Sequence, residues 1–146
     1  MLAGVSEHHR KLERMYLRAP INELYAPSIQ IGDGTAEVAI PVKPAFFHAA
    51  GAVHGSVYFK MLDDACFFAV ASLADDVFVL TTSFTTYFTR PIASGRVTSR
   101  GKVVHAGKTV FLAEAEVFGE DGKSIGRGNG AFMKSTTPLG PALGYE

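Results

Sequence analysis

The stretch His48–Leu73, HAAGAVHGSVYFKMLDDACFFAVASL, decides how this chain folds. A loop of small residues leads into His54-Gly55, and from Ser56 to about Leu73 the pattern is one long apolar helix with Ser56 as its expected N-cap. Apolar residues occur on nearly every side of that helix, so it must be covered on nearly every side. A flat sheet covers one face only. A strongly curved antiparallel sheet wrapped around the helix meets the requirement, and the fold expected is α+β.

The flanking sequence supplies such a sheet. IQIGDGTAEVAIPV (29–42) reads as a hairpin about a Gly-Asp-Gly turn. VFVLTTSFTTYFTRPI (77–92) is dominated by β-branched and aromatic residues. Three further strands are expected over 96–105, 109–118 and 124–133, joined by glycine-marked turns and continuing the chain as a long antiparallel meander. Before the hairpin, Ser6 to about Leu17 has helical spacing through Leu12, Met15 and Tyr16, with Pro20 limiting it. The pair His8-His9 is expected there as solvated side chains. One domain over 1–134, with 1–20 as a helical extension, and a loose tail over 135–146 complete the expected organisation.

Composition narrows the function. With 146 residues, 47% hydrophobic and 19% charged, the chain is globular. Its net charge is zero, so no electrostatic grip on nucleic acid or an anionic membrane is expected. The apolar run contains Lys60, Asp63 and Asp64, which argues against a membrane span, and the N-terminus lacks the apolar core of a secretory signal. A cytoplasmic protein is the expectation. The single cysteine, Cys66, permits no intrachain disulfide and reads as a small buried hydrophobe. His48, His54 and Asp63 lack a further ligand at fixed spacing, so no metal and no cofactor are expected.

Two adjacent carboxylates inside the apolar run need a reason, because an ionised carboxylate loses several kcal/mol of hydration when buried (about 2–7 kcal/mol for polar groups in general, more for charges). A helical wheel separates them at about 100° per residue. Asp64 falls beside Lys60, its i−4 neighbour, as an intrahelical ion pair. Asp63 falls among Phe59, Phe67 and Val70, where no basic side chain of the helix is available; it is either kept for chemistry or an acceptor for a neighbouring segment. At the other end, a helix N-terminus stabilises an oxyanion, and glycine permits close approach. Gly55 and Asp63 are eight residues apart, roughly 12 Å along a helix. One helix therefore cannot serve one carbonyl with both, and if both act, each site takes them from two subunits of a symmetric dimer.

These residues resemble the hot-dog-fold acyl-CoA thioesterases, in particular the phenylacetate-degradation type within the 4-hydroxybenzoyl-CoA thioesterase superfamily. The family pattern is Asn, five residues, His-Gly-Gly, six residues, Asp, any residue, Ala. Here it reads His48, five residues, His54-Gly55-Ser56, six residues, Asp63-Asp64-Ala65. The resemblance continues through TTYFTRPI, VVHAGKTVFLAEAEVF and DGKSIGRGNGAF, spanning roughly 29–134. It implies a curved sheet around the central helix and hydrolysis of an acyl-CoA thioester by a homodimer or dimer of dimers. Asp63 would be general base or nucleophile and Gly55 N–H the oxyanion donor. His54 would shape the loop and carbonyl site, and Thr81 would orient the attacking water. His48 stands where the family has Asn, and Ser56 replaces its second Gly. Lys108, on a hairpin turn, is a candidate for a CoA phosphate, and Ser56 adds a hydroxyl where substrate approaches. A non-catalytic acyl-CoA binder with the same pocket is the alternative. A hot-dog hydratase is disfavoured, because the Asp-x4-His pattern expected of it ends here in Phe68.

Overall fold

The structure, a computed structural model, describes residues 6–146. Residues 1–5, the start of the N-terminal extension, lie outside the described residues. The central helix, α3 (Gly55–Ala71), follows two shorter ones, α1 (Glu7–Arg18) and α2 (Asn22–Tyr25). Six strands, β1 (Ser28–Gly32), β2 (Thr35–Pro41), β3 (Val77–Phe88), β4 (Arg96–Ala106), β5 (Val110–Phe118) and β6 (Ser124–Pro138), form one antiparallel sheet ordered β1-β2-β4-β5-β6-β3.

The sheet wraps α3 as the all-round apolarity of that helix requires. Helix α3 contacts every strand, and Met61, Leu62, Ala65, Cys66, Ala69 and Val70 are buried among Val38, Ile40, Val97, Ala113, Val117 and Phe132. A Cβ at Gly101 would lie 2.5 Å from the Ala65 carbonyl carbon, so glycine lets β4 touch the helix backbone. The β1–β2 turn holds Gly34 at φ +70°, a conformation glycine adopts without steric cost. Its N–H donates to Ser72 Oγ at 2.8 Å, tying the hairpin to the end of α3. Cys66 is buried, and burial pushes its thiol pKa up.

Four expectations need correction. The meander is β4-β5-β6 only: β2 pairs with β4, and β3 crosses to the far edge to pair with β6. Such a long-range crossing leaves no local periodicity to read. The N-cap of α3 is His54, whose Nδ1 accepts from Ser56 N–H at 3.0 Å, and not Ser56 itself. His8 and His9 are not solvated. His9 is 1% exposed; its Nδ1 accepts from Ser6 N–H and its Nε2 faces Asp33 Oδ1 at 3.1 Å. His8 Nε2 donates to Ala71 O at 2.9 Å, which leaves Nδ1 to accept from Tyr145 O–H at 2.7 Å. Finally, the tail is not loose. β6 continues to Pro138, a 3-10 turn spans Pro141–Leu143, and Glu146 accepts from Arg14 and Arg18 of α1. The His8–Tyr145 bond and the Glu146 contacts join opposite ends of the chain, beyond the reach of a local pattern.

Candidate functional site

The two aspartates occupy different environments on one helix. Asp64 Oδ2 accepts from Lys60 Nζ at 2.6 Å and from Tyr16 O–H at 2.7 Å. The predicted i,i+4 pair is there, but it is drier than an exposed pair: the two side chains are 12% and 17% exposed. Lys60 also lies over the rings of Tyr16 and Tyr25, 5.4 and 4.9 Å from their centroids. Asp64 thus belongs to the joint between α1 and α3.

Asp63 has a single side-chain hydrogen-bond partner among the described residues, Thr81, whose Oγ1 donates to Oδ1 at 2.8 Å. Burial pushes the Asp63 carboxyl from 3.8 up to about 6. Thr81 and Lys60 oppose that rise, and Asp64 adds to it. A β-bulge between Thr81 and Ser83 sets the geometry: Thr81 faces α3 on one side of it and Phe84 on the other. Without the extra residue, strand alternation would send Phe84 to the opposite face. One turn before Asp63, Phe59 packs edge-to-face on Phe84 at 5.6 Å. One turn after it, Phe67 packs on Phe78 at 5.4 Å and on Phe132 at 6.5 Å.

At the start of α3, Ser56 N–H is taken by the His54 ring, Val57 N–H by His54 O, and His54 N–H by Phe46 O. Gly55 N–H has no partner among the described residues. A Cβ there would meet the Phe88 ring at 3.0 and 3.1 Å. Because His54 Nδ1 accepts from Ser56 N–H, the neutral ring of this exposed residue carries its proton on Nε2. His48 repeats this arrangement: its Nδ1 accepts from Ala50 N–H at 3.0 Å in the exposed 48–52 turn.

The structure therefore groups Asp63 with Thr81, and His54 with Gly55 and Ser56, at opposite ends of the N-terminal half of α3. His48 lies on the loop before the second group. Lys108 is exposed on the β4–β5 turn, apart from both. Among the described residues no three His, Cys, Asp or Glu side chains converge to hold a metal, and no helix is long and apolar enough to cross a membrane. Sequence reasoning missed the role of Tyr16 and the seating of Phe84. The one local signal for the latter was the alternation of Gly126, Gly128 and Gly130 on β6.

A curved antiparallel sheet around one central helix, with the helix presenting a carboxylate and a free N-terminal amide, defines a hot-dog-fold protein. The family model of the Thioesterase superfamily matches residues 50–125, over half of the chain, and the chain belongs to that superfamily. Conserved protein PA5202 from Pseudomonas aeruginosa is 29% identical, with a TM-score of 0.78 over 84% of this chain and 98% of its own. A thioesterase family protein from Silicibacter pomeroyi is 27% identical, with a TM-score of 0.79 over 86% and 96%. The PaaI protein from the phenylacetic acid degradation operon of E. coli shares the fold at 20% identity, with a TM-score of 0.83 over 92% and 97%. No curated protein matches the sequence. Superfamily membership supports acyl-thioester hydrolysis in general.

Proposed function

We propose that the protein hydrolyses an acyl-CoA thioester at sites shared between two subunits. The observation that carries this reading is Asp63, a half-buried carboxylate with a pKa raised to about 6 and one hydroxyl donor. A base whose pKa lies near the working pH is both ionised and basic enough to take a proton from water. As base, Asp63 activates a water that Thr81 helps to orient; as nucleophile, it attacks the carbonyl itself and the resulting anhydride is hydrolysed. In either case Gly55 N–H, at the positive end of the α3 dipole, receives the oxyanion. His54 and His48 add outward N–H donors beside the carbonyl, His48 doing so where the family has an amide. The departing thiolate needs no strong acid. Ser56 borders the thioester, and Lys108 meets a CoA phosphate.

Helix α3 holds Gly55 and Asp63 apart, so the partner subunit supplies one of them to each site. The open β3 edge supports this arrangement: among the described residues the twelve-residue strand pairs with β6 alone, and an unpaired edge is a template for a second chain.

Two measurements test the proposal. Free-thiol release over an acyl-CoA panel should be detected for the native protein and lost in Asp63→Ala; binding without thiol release would establish the non-catalytic alternative. Coexpressing Asp63→Ala with Gly55→Val should restore activity, because half of the sites in each mixed dimer are intact. With random pairing this amounts to about one quarter of native activity. No recovery in isolated mixed dimers would refute the shared site.

A further inference from the structure

We propose that Phe84 plugs a slot that opens beside Asp63 and is floored by Gly128 and Gly130, and that this plug limits the length of the acyl group; the inference rests on the acyl-CoA reading above. Phe84 pairs with Gly130 across β3 and β6, and the next pair but one, on the same face, is Thr86 with Gly128. A Cβ at Gly130 would lie 2.5 Å from Phe84 Cδ2, and one at Gly128 would lie 2.6 Å from Phe84 Cε1. The ring therefore rests on bare β6 backbone, in a depression that only glycine at both positions provides. Glycine inside a strand offers nothing to pack and costs chain entropy, which makes it a mark of close approach by a ring, a ligand or another backbone.

The two sides of Asp63 are unequal. Toward the C-terminus of α3, Phe67 is locked against Phe78 and Phe132, and Phe132 is fully buried. Toward the N-terminus, Phe59 is 42% exposed and touches the edge of Phe84. An apolar chain attached to a carbonyl beside Asp63 meets sealed core in the first direction. In the second it meets an aromatic wall with a glycine floor behind it. Phe84 fills that space in the native protein, which therefore prefers short acyl groups.

Phe84→Ala and Phe84→Leu test this with acetyl-, hexanoyl- and decanoyl-CoA, reading kcat/KM by thiol release and Kd by calorimetry, with circular dichroism to verify folding. One methylene accepted or refused by an apolar pocket is worth about 10-fold or more. The decanoyl-to-acetyl ratio should rise at least about ten-fold in Phe84→Ala and less in Phe84→Leu. A purely structural role lowers all three substrates together, so an unchanged ratio in the folded variants overturns the inference while leaving the thioesterase reading intact. A native protein that already favours decanoyl-CoA also overturns it. If no acyl-CoA is either cleaved or bound, both readings fall together.

Discussion

Replacing Asp63 with asparagine should abolish hydrolysis and make the protein more stable. Burial holds the folded-state carboxyl at about 6, against an ordinary 3.8. The folded protein then binds more protons than the unfolded chain between about pH 4 and 6, so stability falls as pH rises through that window and is level above it. At 1.36 kcal/mol per pH unit the penalty has a ceiling of about 3 kcal/mol. Solvent reaches the half-buried carboxylate, and screening reduces the figure to about 1–2 kcal/mol. Asparagine removes the charge but keeps a carbonyl oxygen to accept the Thr81 bond. Asp63→Asn should therefore gain about 1–2 kcal/mol at pH 7.5, or about 2–8 °C in Tm for a chain of this size. The gain should shrink toward zero by pH 4. Urea unfolding followed by circular dichroism at pH 7.5, 6 and 4.5, at one protein concentration, measures it. A loss of stability at pH 7.5, or a gain independent of pH, would show that Asp63 is a structural acceptor and would refute the reasoning.

The same carboxyl should set the acid limb of catalysis. kcat/KM should rise with pH through about 6, and Thr81→Val, which removes a donor to the charged form, should move that midpoint upward; a midpoint that stays or falls contradicts this. Tyr16→Phe strips Asp64 of one of its two donors and should cost about 1–2 kcal/mol in urea, with turnover per folded molecule retained. Asp64→Ala leaves the mostly buried Lys60 without its carboxylate and should cost more, about 3 kcal/mol; equal losses in the two variants would show that the pair is effectively solvated. Gly55→Ala brings a methyl within 3.0 Å of the Phe88 ring, which is 58% exposed and packs edge-on against Tyr58. Steady-state kinetics should show kcat lowered by about ten-fold or more with little change in Tm.

The elements legible in the sequence are those encoded by local pattern. The all-round apolarity of α3, the Gly-Asp-Gly hairpin and the alternation of β4, β5 and β6 are each written within a dozen or so residues. Asp63 stood out for the same reason, since its own helix offers no cation on that face. What escaped depends on contacts between distant segments. The β2–β4 and β3–β6 pairings, the His8–Tyr145 and Tyr16–Asp64 bonds and the docking of the tail on α1 each join residues 38 or more positions apart. Thr81 enters through family resemblance as a residue that orients water; its bond to Asp63, across eighteen positions, has no local signal because no periodicity places the β3 bulge.

Adjacent residues of one type, on one rigid helix, allow the cost of burying charge to be compared directly. Asp64 meets that cost with two donors, one from its own helix and one from α1, and the result is a joint. Asp63 meets it with one neutral donor and stays strained enough to titrate near 6. Lys60 lies three residues away, turned toward Asp64, Tyr16 and Tyr25. A nearer cation would lower the pKa and stabilise the fold, but it would also leave a weaker base. The β3 bulge places a hydroxyl against Asp63, which orients the carboxylate without neutralising it. That arrangement accords with the proposed role of Asp63 as a base or nucleophile near neutral pH.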